Sequence, residues 1–413
     1  MLSFERKSFI MISANKTTER ISKKLNTMDY ITKLLGLQEA KIENIEANDE
    51  KIVISLVMNR KKHKCPCCGA DTDKIHDYRT QLVTDLDLRE KQVVLKLRKR
   101  RYVCPHCGKR FCENIHFLPR YFRRTVQVTA SIVNYLRESV SYSYVARKHH
   151  VSVATVLRVF DHVGYGAAPL PRVLLIDEFR GNAGKEKFQC ILMNGETGEI
   201  VDILPSRKYA DLALYFSKKD TSTVEFFVSD LWKPYRDLCR TCFKKAKHIA
   251  DKYHVIRQTG WAMEAVRKEE QKELNKHSRL RYKRTAHLLR KPKRKLKDEE
   301  KTLISQVFFA SPKLENAYNL KERFYDVFCT SNRTDACERL KDWCLISENS
   351  NIKRFQTCAK TMAEWSTSIL NSVEYGYTNG MIEGMNNKIK VLKRVSYGVR
   401  KFQRFRNRIL HLD

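Results

Sequence analysis

Two short turns constrain this chain more than any other feature: Cys65-Pro66-Cys67-Cys68-Gly69 and Cys104-Pro105-His106-Cys107-Gly108. Each puts two thiols on one tight turn, and the glycine after the second cysteine lets backbone amides approach the sulfurs. Four thiolates suit a tetrahedral ion, so Cys65, Cys68, Cys104 and Cys107 are expected to hold one structural Zn2+. Between them, residues 91–103 alternate apolar and basic side chains, as a half-solvated strand does. This is the layout of a zinc ribbon with a long interval between its knuckles. Cys67, Cys112 and His116 lie close enough in sequence to be alternative ligands. In a short secreted chain, 13 cysteines would suggest a disulfide framework; in one of 413 residues with paired knuckles they point to metal binding in a reducing, cytoplasmic compartment.

The charge names the class of partner. Lys plus Arg number 80 against 47 Asp plus Glu, a net charge of +33, and the pI is 9.7. Such a chain attracts polyanions, and nucleic acid is the expected one. The length allows two or three domains, and 42% hydrophobic residues suffice for sizeable cores. The apolar run Phe9–Ile12 is too short for a signal-peptide core, and no segment approaches the ~18 apolar residues of a membrane span. Neither a membrane nor a small-molecule substrate is expected.

Residues 129–163 read as helices. Ser152 is a natural N-cap, followed by Val153, Val156, Leu157 and Phe160 at helical spacing, with Val151 and Val156 at the staple positions. Residues 144–150 make a shorter helix and a turn before it. A helix-turn-helix follows, with Ser152, Thr155 and Arg158 facing a DNA major groove.

Beyond a linker at 164–172 come strands that end in carboxylates. Arg172–Phe179 is a buried apolar strand expected to stop on Asp177 and Glu178. Residues 188–193 and 199–204 complete an antiparallel meander across Asn194-Gly195 and Gly198 turns. A helix (209–219), a strand (224–230), a helix (234–245) and a short strand near His248–Asp251 follow. Three strands, then helix, strand, helix and strand, is the order of the RNase H-like fold. Acids at the ends of buried strands attract hard, oxygen-loving cations, which makes Asp177 and Asp230 the first two ligand candidates. An acid after a strand also commonly caps the next helix, the competing reading for Asp230. Glu178 faces the other side of its strand, Asp251 is a spare candidate, and His254 is nearby.

Residues 379–390 read as a capped amphipathic helix. Ile382, Met385, Ile389 and Leu392 form its buried stripe, and Glu383, Asn387, Lys390 and Arg394 a polar one. Glu383 supplies a third acid, with Lys390 and Arg394 placed to meet DNA phosphate. Between Asp230 and Glu383, Trp261 to about Asn371 is helix-rich. Residues 279–297 there hold ten Lys or Arg among nineteen positions, expected to track phosphate.

The knuckles, the 144–161 helix pair, Ile176-Asp177-Glu178-Phe179, Val228-Ser229-Asp230, Ala250-Asp251-Lys252-Tyr253-His254 and the 379–394 segment, in this order, resemble the ISL3 family of bacterial insertion-sequence transposases. The likeness covers nearly everything from Met28 onward. It implies a catalytic Asp-Asp-Glu set at Asp177, Asp230 and Glu383, holding two Mg2+ or Mn2+ ions, and zinc on Cys65, Cys68, Cys104 and Cys107. It also implies a domain order. An N-terminal extension (1–27), with Met28 as the family-like start, precedes a zinc-ribbon region (28–120) and a helix-turn-helix (121–165). An RNase H-like catalytic core (166–260), a basic helical insertion (261–371) and a final core segment (372–413), with no further domain after it, complete the chain. The expected activity is binding of terminal inverted repeats, hydrolysis at the element's end, and attack of the freed 3′-hydroxyl on target DNA. No covalent protein intermediate is needed. A homodimer or larger assembly on double-stranded DNA, associated with the nucleoid, would join two ends. The rivals are a non-catalytic zinc and helix-turn-helix regulator and a metal-dependent nuclease without strand transfer.

Overall fold

The computed structural model describes residues 30–412, apart from 38, 167, 182, 397 and 398; the expected extension over 1–27 and the start at Met28 lie outside them. The chain forms two compact units, one reaching Val163 and the other spanning Gly164–His411.

The first unit carries strands β1 (Ala40–Ala47), β2 (Lys51–Met58), β3 (His63–Lys64), β4 (Asp71–Thr72), β5 (Ile75–Thr84), β6 (Gln92–Val103) and β7 (Arg110–Cys112). Its larger sheet runs β1-β2-β6-β5, with β7 on the end of β6 and only the β2–β6 pair parallel. In β6, Val93, Leu95 and Leu97 enter the core while Lys96 and Arg98 face solvent, the period-2 pattern read from the sequence. The long interval between the knuckles is filled by the β5–β6 hairpin, one arm of which is this sheet's central strand. Helices α1 (Val126–Tyr135), α2 (Tyr142–Lys148) and α3 (Val153–Phe160) follow. Thr125, Ser141 and Ser152 cap them, each accepting the amide three residues on. The buried face of α3 is Val156, Val159 and Phe160; Val153 is 39% exposed and Leu157 only half-buried. The expected stripe is therefore rotated: both α1 and α2 pack on α3, and spacing alone leaves the choice between neighbouring faces open.

In the second unit, β8 (Val173–Arg180), β9 (Phe188–Asn194) and β10 (Ile200–Leu204) form the expected meander. Then come α4 (Tyr209–Phe216), β11 (Phe226–Ser229), α5 (Lys233–Cys242) and β12 (Lys247–Ala250). The sheet order is β10-β9-β8-β11-β12, antiparallel at the first two joins and parallel at the last two. A parallel join requires a crossover, and α5 supplies it between β11 and β12. At the meander's turn, a Cβ on Gly195 would lie 2.6 Å from a Val173 methyl, so only glycine lets that turn close against β8. The rest of the unit is helical among the described residues: α6 (Lys252–Glu270), α7 (Lys276–Arg290), α8 (Asp298–Ala310), α9 (Pro312–Tyr325), α10 (Arg333–Glu348), α11 (Lys353–Glu364), α12 (Ser366–Tyr375), α13 (Gly380–Val395) and α14 (Phe402–Leu410). Trp261 sits inside the continuous helix α6. Helices α6 to α12 share a core around the fully buried Trp343, whose indole N–H donates to the Leu320 carbonyl (2.8 Å). Lys321, also fully buried, donates to the Leu289 and Lys291 carbonyls (2.8 Å each), satisfying the C-terminal end of basic α7. No described helix is long and apolar enough to cross a membrane.

Candidate functional site

The two knuckles fold alike. Gly69 N–H donates to the Cys65 carbonyl (3.0 Å) and Gly108 N–H to that of Cys104 (2.9 Å), both glycines at positive φ (73° and 70°). This brings the Sγ atoms of Cys65 and Cys107 to 3.5 Å and of Cys68 and Cys104 to 3.6 Å, with all four within 4.8 Å of one another. A tetrahedron with ~2.3 Å Zn–S bonds has edges of ~3.8 Å, so the cluster fits one zinc ion. Backbone N–H groups, that of Cys68 foremost, pull the Cys65 thiol down to about 6, and those of Cys107 and His106 lower Cys104, which favours thiolates at these two positions, while Cys68 and Cys107, bonded to the other thiols, are raised. Cys67, Cys112 and His116 stand outside this cluster among the described residues.

In the second unit the register brings the acids together. Val228 pairs with Leu175 and Ser229 with Ala250; carried one or two positions further, Asp177, Asp230 and Asp251 stand level across β8, β11 and β12. Strand β8 does not stop on its acids, as expected from the sequence, but runs to Arg180, because β9 keeps pairing along its other edge. The sheet opens at Asp177 only on the side where β11 ends.

Each acid has a distinct setting. Asp177 accepts the Glu178 amide (2.7 Å) and the Asn386 side-chain amide (2.9 Å). Burial first, then the charge of Asp230, pushes its carboxyl up to about 7. Asp230 does not cap α5, whose N-cap is Trp232 with no side-chain bond; its Oδ2 meets His254 Nδ1 at 2.6 Å. Asp251 is the one that caps a helix, accepting the His254 amide of α6. Burial raises its carboxyl while the Asn379 amide, donating at 3.0 Å, lowers it. For His254, burial favours the neutral ring, but the Asp230 bond and the surrounding carboxylates outweigh it and raise its pKa. Glu178 points to the opposite face, where Arg207 (2.9 Å) and Tyr235 (3.2 Å) hold it.

A cleft of about 520 Å³ is lined by Asp177, Asp251, His254, Asn379, Glu383 and Asn386, among others. Glu383 is exposed in the first turn of α13. The cluster of ligand atoms described in this unit is Asp230, Asp251 and His254, within 4.8 Å of one another; neither Asp177 nor Glu383 is part of it. Lys390 lines the cleft and Arg394 does not, whereas Arg257 and Lys393 do. In the first unit, Ser152 caps α3 while Thr155 and Arg158 line an apolar groove with Tyr121, Phe122 and Arg124.

The expected stripe of α13 needs one correction. Its buried positions are Ile382, Asn386, Ile389 and Leu392, with Met385 half-buried and Asn387 exposed, because Asp177 draws the Asn386 amide inward. An asparagine at a position of apolar spacing was the available signal. The side chain of Asn379, at the start of this helix, makes no cap bond and donates to the Ile176 carbonyl (3.2 Å).

The oxygens Asp230 Oδ1, Asn379 Oδ1 and Asn386 Oδ1 are buried without a hydrogen-bond partner among the described residues. A buried acceptor left unpaired costs ~1–3 kcal/mol. Orphaned oxygens beside two mutually repelling carboxylates fit a hard divalent cation, which would satisfy the first and relieve the second.

Known proteins carry the same parts in the same order. Residues 61–107 match the zinc-finger of transposase IS204/IS1001/IS1096/IS1165, and residues 174–409, more than half the chain, match the ISL3 family described as Transposase. The chain is 23% identical over 385 residues to the transposase for insertion sequence element IS1001 of Bordetella parapertussis, covering 90% of this chain and 94% of that protein. It is 21% identical over 246 residues to the transposase for IS1557 of Mycobacterium tuberculosis, covering 52% and 54%. A Lactococcus lactis protein named ATP-dependent protease is 31% identical over 111 residues, 27% of this chain and 34% of that one, too short a stretch to transfer its name. With a zinc-finger match over the cysteine cluster, a transposase match over the acid cleft and one relative aligned across nearly the whole length, this chain belongs to the ISL3 family of insertion-sequence transposases.

Proposed function

We propose that this transposase works through Asp177, Asp230 and Glu383, on an RNase H-like core, as a metal-dependent DNA strand transferase. The observation that carries the reading is the level placement of Asp177 on β8 and Asp230 just past the adjacent parallel strand β11, beside a cleft that Asp177 and Glu383 line. These three would hold two Mg2+ or Mn2+ ions, which when bound neutralise charge on the attacking and leaving oxygens of an in-line displacement at phosphorus. The protein's own groups set the stage. Asn386 fixes the Asp177 carboxylate and ties it to the helix bearing Glu383. His254 orients Asp230, and Asn379 locks the Asp251 loop to β8. Arg257, Lys390 and Lys393 on the cleft wall attract the DNA strand.

In this reading α2 and α3 form a helix-turn-helix, with Arg158 exposed and Thr155 half-buried on one face, and together with the cysteine cluster they grip the terminal inverted repeats. The exposed cations of α7, Arg279, Arg281, Lys283 and Arg284 among them, track phosphate from a helical insertion. Two copies at least are required to bring two ends together. The domain limits proposed above, with the core resuming at residue 372, follow this division of labour.

The test is Mg2+-dependent cleavage of a duplex carrying the element's terminal repeat, wild type against Asp230→Ala. Wild type should nick at the repeat boundary, and the variant should bind equally well without cutting. Equal cutting by both would sink the carboxylate assignment and bring Asp251 forward. Pre-cleaved ends then separate strand transfer, which joins them to target DNA, from a nuclease, which only shortens them.

A further inference from the structure

The Gly164–His411 unit has a second cleft, of about 670 Å³, lined by five cations and one acid, Glu374. Arg236 and Arg240 come from α5 and Lys244 from the turn after it; Lys247 opens β12 and Arg333 opens α10. Lys247 and Asp251 bracket β12, so these cations stand at the opposite end of that strand from the acids, ~13 Å away at ~3.3 Å per residue.

Structural needs account for part of this cluster. Arg236 pairs with Glu364 (2.6 Å) and lies over the Trp365 ring (4.3 Å). Arg333 pairs with Glu374 (2.8 Å) and bonds Asn371 (2.7 Å). Arg240 sits in the last turn of α5, where a cation complements the helix carbonyls. For Arg240 that is the only such account, and Lys244 has none. Arg240 and Lys244 have neither a hydrogen-bond nor an ion-pair partner among the described residues. Arg236 Nε is buried and unpartnered although its side chain is only 8% exposed. The two acids nearby are already engaged, Glu374 by Arg333 and Glu364 by Arg236, and both ring nitrogens of His248 on the floor are bonded, by Ser229 (2.9 Å) and Ser368 (2.8 Å). Burial pushes that imidazole down to about 3, so it is neutral.

We propose that this cleft binds the phosphodiester backbone of DNA, with Arg240 and Lys244 as direct contacts and Arg236 and Lys247 behind them. Converging cations from three elements, two of them without partners, are complementary to a chain of phosphates and carry no means of reading bases. The inference rests on the transposase reading only in taking DNA as the ligand.

The test is binding of the full chain to a duplex of about 30 base pairs by fluorescence anisotropy, across roughly 50 to 200 mM salt. Losing two phosphate contacts in Arg240→Gln/Lys244→Gln should flatten the log–log salt slope by about 1.8, shrinking the affinity loss over that range about tenfold. The charge-conserving Arg240→Lys/Lys244→Arg should keep the wild-type slope. An unchanged slope in the Gln variant, with wild type binding normally, overturns the proposal and leaves the transposase reading intact. Absence of duplex binding by wild type would instead strike that reading itself. Loss of poly-glutamate binding by the Gln variant at an unchanged DNA slope would reassign the cleft to an acidic protein and also overturn the proposal.

Discussion

The cysteine cluster and the acid cleft are both sets of candidate metal ligands, yet they are assembled in opposite ways. The cysteines come in two pairs, each held within one turn by its own backbone hydrogen bonds. The acid cleft depends on contacts between residues far apart in the chain: Asn386 reaches Asp177 across 209 positions and Asn379 reaches Ile176 across 203. A ligand set made of local turns is complete once the turns form and a metal bridges them. One made of strand ends exists only after the sheet is in register, so its stability is that of the unit around it.

That contrast can be broken at either site. The largest effect is expected at the cysteines, since structural zinc contributes apparent binding energies of ~10–16 kcal/mol in small zinc domains. A strong chelator, or Cys104→Ser, should abolish hydrogen-exchange protection in β6 and β7 while the second unit keeps its own cooperative melt. Protection that survives chelation would show that protein packing, not metal, holds the knuckles. Next, Asp230→Ala should slow strand cleavage by at least ~10³-fold, about 4 kcal/mol of barrier, in a single-turnover assay at unchanged duplex affinity. A variant that loses affinity in proportion would place Asp230 in DNA binding instead.

Two smaller effects sharpen the comparison. Arg406 of α14 forms a buried pair with Asp202 of β10 (2.7 Å), which also accepts the Tyr215 hydroxyl (2.9 Å). Removing one partner of such a pair costs ~3–5 kcal/mol. Arg406→Ala should therefore shift urea unfolding of the second unit and leave zinc retention by the first untouched; coupled loss of zinc would mean that the two regions are not independent. Asn386→Ala, which removes a group bonded to a proposed ligand, should raise the Mg2+ concentration for half-maximal cleavage about 10-fold. If the Mg2+ requirement is unmoved and only thermal stability falls, Asn386 is a packing residue.

Legibility followed the same divide. The apolar run of β8, the meander turns and the alternation in β6 were readable because a strand's burial pattern is written within a few residues. The knuckles were readable because thiol spacing within a turn is itself the signal. Helix faces are harder: spacing groups Val153 and Leu157 with Val156 and Phe160 in α3, whereas Val159 joins Val156 and Phe160 on the buried face. In α13, Met385 was preferred to Asn386 on apolarity alone. In both helices contacts from elsewhere, α1 and α2 in one and Asp177 in the other, chose between adjacent faces that spacing leaves nearly equal. Asp230 and Asp251 show the same limit. Each follows a strand and precedes a helix, and only the folded chain shows that Asp251 caps its helix and Asp230 turns to His254.

By itself, then, the sequence determined the cysteine cluster, the order of strands and helices in the second unit and the excess of positive charge, because these depend on neighbours within a turn or on composition. Tertiary structure alone decided which carboxylates stand level, that Asn379 and Asn386 serve the acids, and that Arg236, Arg240, Lys244, Lys247 and Arg333 converge on one cleft. Strand register and helix rotation are set by packing between segments up to about two hundred residues apart, and no local pattern records the outcome of that packing.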